Sequence, residues 1–226
     1  FAAAVDSTSG IHLATLRINT DAPTKPEYNI NLHGYALNTN EEPSLQRLMD
    51  FYENPITIGD NDPATNDVTF PLLANDEVVM QTLKAADSTK AVTIEILSTW
   101  FTDKNNFLPI GVYDSTTQAQ IQMLLINKAN NQSASPASTG YFRFLAGKST
   151  FGLYAYWAQY ARYTFSQDSR NTWDTSPANG RKLRFYPLKE SDGTTVANAF
   201  VVGFESLSSA TDQQDLVMIV RNVIAG

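Results

Sequence analysis

The sequence predicts an all-β fold, a β-sandwich or jelly roll with one short helix. From Val78 onward, short apolar or alternating runs are separated by polar turn clusters, the pattern of many short strands. Only 17% of the 226 residues are charged, while aromatics reach 11%, a balance typical of an extracellular all-β protein. No internal repeat of fixed period is present, which argues against a solenoid or propeller. With 42% hydrophobic residues the chain can bury one sizeable core.

In chain order, residues 11–20 and 28–34 alternate on either side of a turn holding Pro23 and Pro26, and read as a β-hairpin. Residues 38–52 combine an Asn cap, Glu41, Glu42 and Pro43 in a first turn, and apolar residues at helical spacing, which predicts the single short helix. Strands are then expected over residues 78–83, 91–101, 109–113, 120–127, 140–145, 151–157, 160–165, 183–187, 197–205 and 215–223. Residues 127–139, rich in Asn, Ser, Ala and Pro, read as a surface loop. The expected organisation is a hairpin over residues 1–36 and a sandwich over 37–226.

Composition narrows the function. The net charge of −7, with no basic stripe, argues against a nucleic-acid partner. Without cysteine, stability must come from packing, hydrogen bonds or an oxygen-ligated cation. No apolar run reaches the roughly 18–20 residues that span a bilayer, so no membrane insertion is expected. His12 and His33 are the two histidines, both in the hairpin, which gives poor support to a Ser-His-Asp triad or a His-rich zinc site. No nucleophile with a base, phosphate loop or cofactor fingerprint is present, so the chain is expected not to be an enzyme; a two-carboxylate hydrolase is a distant third reading.

Two patterns could carry a ligand. The runs 200–205 and 215–220 flank a polar loop that begins with Glu205 and ends with Asp212 and Asp215. Converging carboxylates repel unless a hard cation neutralises them, which points to calcium; the alternative is that these acids cap strands and solvate a turn. The second pattern is the density of Tyr154, Tyr156, Trp157, Tyr160, Tyr163, Phe165 and Trp173. Outward-facing members of that set could stack on sugar rings, and Tyr156, Tyr160 and Trp173 are the candidates, although alternation assigns about half of the set to core.

Residues 10–36 resemble the last two strands of immunoglobulin-like modules of the ASH type, repeated in large bacterial surface proteins. That resemblance implies either a preceding domain cut before Phe1 or strands recruited into the present sheet. Asn40–Arg47, Gly59–Asn66, Phe151–Tyr154, Ser166–Asp168, Asn171–Asp174 and Arg184–Leu188 together resemble a C-terminal module found after ASH-type and malectin-like repeats. The closing hairpin resembles that of bacterial secreted β-sandwich domains whose acidic loop holds calcium, with Gln214 where they carry an aromatic. These resemblances imply a secreted or cell-surface location and add Asp168 and Asn171 as oxygen ligands. The expected function is a non-catalytic accessory module, calcium-stabilised and carbohydrate-binding; the alternative is a structural or adhesion module that assembles a large surface protein.

Overall fold

The computed structural model describes residues 10–36, 43–58, 76–100, 107–127, 140–174, 181–206 and 213–226. The chain divides into two compact units, Phe1–Glu42 and Pro43–Gly226.

In the first unit, β1 (Gly10–Asn19) and β2 (Glu27–Ala36) form an antiparallel two-stranded sheet. Its register places Leu16 opposite Ile30 and Ile18 opposite Tyr28, so strand alternation gathers these side chains on one face. Arg17 and Asn29, with Asn19 and Glu27, take the other face, where Arg17 pairs with Glu27. Over residues 16–19 and 27–30 the ribbon is therefore amphipathic. Thr20 closes the turn, its N–H donating to Pro26 O at 2.8 Å and its hydroxyl to Lys25 O at 2.6 Å.

The second unit is a sandwich of two antiparallel sheets, as the strand pattern predicts. Its elements are α1 (Leu45–Phe51), β3 (Leu83–Ala85), β4 (Val92–Thr99), β5 (Phe107–Asp114), β6 (Gln120–Asn127), β7 (Tyr141–Phe144), β8 (Thr150–Trp157), β9 (Arg162–Phe165), β10 (Leu183–Lys189), β11 (Thr195–Phe204), β12 (Leu216–Arg221) and β13 (Val223–Ala225). One sheet has the order β10-β11-β12-β4-β7; the other runs β13-β3-β8-β5-β6, with β9 also paired to β8. A single core lies between them. Ile94, Phe185, Val202, Phe204, Met218 and Val220 from the first sheet meet Leu108, Ile110, Val112, Leu153, Ala155 and Trp157 from the second.

The far face of the five-stranded sheet is buried as well: Tyr186, Val201 and Val217 are 0% exposed. Leu45, Leu48 and Met49 of α1 are equally buried, and Tyr52 just beyond the helix donates its hydroxyl to Leu97 O at 2.6 Å. A Cβ on Gly203 would lie 2.9 Å from Leu45 Cδ2, so this glycine permits close approach of helix to strand.

Several boundaries differ from the sequence expectation. The helix starts at Leu45 with Ser44 as its cap, the hydroxyl accepting from the Arg47 N–H at 3.3 Å; the expected Asn cap falls among residues 37–42, outside the described set. Tyr160 belongs to a 3₁₀ turn, Ala158–Tyr160, and Ala161 at φ 50° delays β9 to Arg162. The expected strand over residues 215–223 is broken at Asn222, φ 62°, which separates β12 from β13. Asn222 compensates with its side chain, donating to Asp87 O, Lys90 O and Ala91 O and accepting from the Asp87 N–H. Of residues 78–83, only Val78 makes an isolated bridge, to Phe185, before β3 begins.

Within the sandwich, the described sheet edges are short or interrupted. β7 has four residues and β13 three. β10 carries Pro187 next to a register shift, and β6 is shifted against β5 between Ile110 and Gly111, leaving Met123 without a cross-strand partner. No helix among the described residues is long and apolar enough to cross a membrane.

Candidate functional site

The outward face of the six-stranded sheet is built from aromatic rings. Register places Gly111 beside Tyr154, Tyr113 beside Gly152, Tyr154 beside Phe165 and Tyr156 beside Tyr163, all opposite in sense to the core residues Val112, Leu153 and Ala155. Tyr113, Tyr154 and Phe165 form a second, smaller buried cluster. Tyr163 lies over its margin, with ring centroids 4.6 Å from Tyr156, 5.8 Å from Tyr154 and 5.7 Å from Phe165. It is 37% exposed, and Tyr156 is half-buried.

Continuing the β5–β8 register by one residue sets Tyr156 beside Pro109, which pairs with Leu125 on β6. Tyr163, Tyr156, Pro109 and Leu125 thus make an uncharged row across β9, β8, β5 and β6. Phe107, 43% exposed, stands two residues along β5 on the same face.

The segment after β9 covers the buried part of that face. Arg170 lies over Phe165, 3.8 Å from its centroid, and over Tyr113 at 4.2 Å. The Asn171 amide brackets Phe165: Oδ1 accepts from its N–H at 2.8 Å and Nδ2 donates to its carbonyl at 2.9 Å. Asp168 is bound to Gln81, Oδ2 accepting from Nε2 at 2.6 Å and its own N–H donating to Oε1 at 2.7 Å; Arg181 stands 3.5 Å away. These polar atoms serve packing of the segment.

Tyr160 and Trp173, expected as companions of Tyr156, lie at a different place. Both rings face Arg162, whose guanidinium carbon is 4.5 Å from the Tyr160 centroid and 3.8 Å from that of Trp173. The Trp173 indole N–H donates to Tyr163 O at 2.8 Å. Arg162 also donates to Ser206 O at 2.5 Å, which ties β9 to the end of β11. Burial pulls its ionisation below the usual arginine range, opposed by Tyr160, Asp174, Glu205 and Asp215.

Glu205 and Asp215 both act on Arg162 electrostatically. Glu205 is 1% exposed and Asp215 8%, and Asp215 Oδ2 accepts from the Ser206 N–H at 2.6 Å. Arg162 faces both acids, and Lys182, 2.7 Å from Asp174, faces Glu205. Among the described residues no group of three or more His, Asp or Glu side chains is placed to hold a metal ion. Asp212 lies outside the described residues.

Sequence reasoning set Arg162 only among the polar neighbours of the aromatic residues, and missed Asp174 and Lys182. The only signal for Arg162 was a cation inside an aromatic run, and a lysine ahead of a strand reads as solvent-facing. Comparison with known proteins finds no family model, no curated protein and no solved structure that matches the chain.

Proposed function

We propose that the chain is a non-catalytic, secreted or cell-surface binding module that takes a neutral glycan on the outward face of its six-stranded sheet. The observation that carries this reading is the row from Tyr163 through Tyr156 to Leu125, in which the 37% exposed Tyr163 ring lies against Tyr156 at 4.6 Å. Aromatic faces receive the apolar C–H face of a pyranose, and phenol hydroxyls supply hydrogen bonds at the rim. The row carries no charge, which suits a neutral sugar over an anionic one. Tyr160 and Trp173 have no part in it, because Arg162 covers their rings. Affinity electrophoresis against a panel of soluble neutral polysaccharides tests the reading: retardation of the native chain that is lost in Tyr163→Ala supports it, and free migration in every gel overturns it.

A structural or adhesive role is the second reading, favoured by the amphipathic β1–β2 ribbon. Leu16, Ile18, Tyr28 and Ile30 share one face, with exposures of 37%, 40%, 46% and 37%. An isolated hairpin is marginal in water and gains stability when such a face is covered. Concentration-dependent sedimentation of the native chain, abolished in Ile18→Lys, would support assembly; a monomer at all concentrations would count against self-assembly.

A further inference from the structure

Lys182 directly precedes β10, and Asp174 lies in the stretch that follows β9, so this pair links the five-stranded sheet to the six-stranded one. Lys182 Nζ is 2.7 Å from Asp174 Oδ2, and the two side chains are 1% and 3% exposed. A buried ion pair loses the hydration of both ions, and transfer of one proton leaves a neutral amine beside a neutral carboxylic acid. Burial already draws the Lys182 amine below the ordinary lysine range, against the pull of Asp174 and Glu205.

A third buried group stands beside them. The Glu205 N–H donates to Lys182 O at 2.9 Å, which makes the two residues cross-strand neighbours with side chains on one face. Trp173 forms a wall, its centroid 4.9 Å from Lys182 Nζ. Amine, carboxyl, a second carboxylate and an aromatic wall therefore share one water-poor site.

We infer that Lys182 and Asp174 join in an intramolecular amide cross-link, formed by the chain itself with Glu205 carrying the proton. The neutral Nζ attacks Cγ of the protonated Asp174, forming the C–N bond as the carbonyl electron pair moves to oxygen. Glu205 takes a proton from nitrogen and returns it to the departing hydroxyl. The carbonyl re-forms, the C–O bond breaks and water leaves. The balance is one ammonium and one carboxylate giving one amide and one water, with no oxidant, reductant or co-substrate.

Two effects favour condensation here. Well-oriented groups reach effective concentrations of about 10⁵ M or more, and a neutral amide relieves the desolvation of two buried ions. The bond would tie the sheets together covalently in a chain with no cysteine.

Mass spectrometry of the denatured chain, after folding and incubation at neutral pH, tests the inference. The native chain is expected to be lighter than its sequence by one water, and its tryptic digest to contain a branched peptide uniting Asp174 with an uncleaved Lys182. Lys182→Arg should have its full mass, and Glu205→Gln should cross-link far more slowly. A native chain of full mass overturns the inference. So does a water loss that survives in Lys182→Arg or maps to Asp192–Gly193, since that marks a succinimide. Cross-linking of Glu205→Gln at the native rate overturns the role given to Glu205.

Discussion

The ring of Tyr113 lies across Gly152 so closely that a Cβ on the glycine would sit 2.1 Å from Tyr113 Cζ. The reciprocal arrangement occurs one step away, where a Cβ on Gly111 would come within 2.8 Å of Tyr154 Cε1. Each tyrosine fills the space above the glycine on the neighbouring strand, so two buried phenols lie flat on the sheet. Gly152→Ala is therefore expected to destabilise the fold by about 3 kcal/mol, the upper range for overpacking a core, because Tyr113 is itself fully buried. Urea unfolding measures this; a loss under about 1 kcal/mol would show that the ring can move aside.

Tyr52 fastens the end of α1 to the five-stranded sheet through one hydrogen bond, hydroxyl to Leu97 O at 2.6 Å. Tyr52→Phe should cost about 1 kcal/mol, the usual net value of such a bond. Burial, with the nearby charge of Glu95, holds this phenol well above its ordinary range. A raised folded-state value gives a contribution that is complete below the unfolded value of about 10 and is lost as pH climbs toward the folded one. The stability of Tyr52→Phe should accordingly decline less than that of the native chain above about pH 10 in alkaline denaturation.

The strands were legible because alternation records which side chains face the core: Ile94 and Ile96 on β4, or Val202 and Phe204 on β11, announce the sandwich. The breaks were less so. Asn222 adopts a left-handed conformation inside an apolar run, and nothing local in the sequence shows that Asp87, Lys90 and Ala91 supply its partners. At the candidate site, aromatic density was visible but not its division. Tyr156 and Tyr163 meet because β8 pairs with β9, whereas Tyr160 and Trp173 are drawn to Arg162, an arrangement fixed by a turn at Ala161 and by tertiary contacts.

Arg162 is the cation common to Tyr160, Trp173 and Ser206 O. Arg162→Ala removes positive charge that faces Glu205 and Asp215, and should cost about 2 kcal/mol, in the range for hydrogen bonds to charged groups. Because Arg162 already faces these acids, thermal melts of the native chain in calcium and in excess chelator are expected to coincide. A midpoint that rises with calcium would instead assign Glu205 and Asp215 to a metal site.

Asp87 offers a test of the turn that receives Asn222. Hydrogen bonds from the Thr89 hydroxyl and N–H, then Lys90, lower its ionisation to about 2. The stabilising effect is present above the unfolded value of about 3.9 and is lost as pH falls through the folded value. Carboxyl NMR should find a midpoint near about 2 for Asp87; an ordinary aspartate midpoint would mean that the turn is open in solution.

The interrupted sheet edges bear on how many copies of this module can be held side by side. Unpaired strand borders that are long and straight invite neighbours to add on, and the ladder then grows from molecule to molecule. Here Pro187 removes a donor from one border, the shift at Met123 bends another, and β7 and β13 are too brief to template a new strand. Crowding at high local density, as in an array on a surface, would thus leave each sandwich a separate body, with no route to fibre growth through these borders.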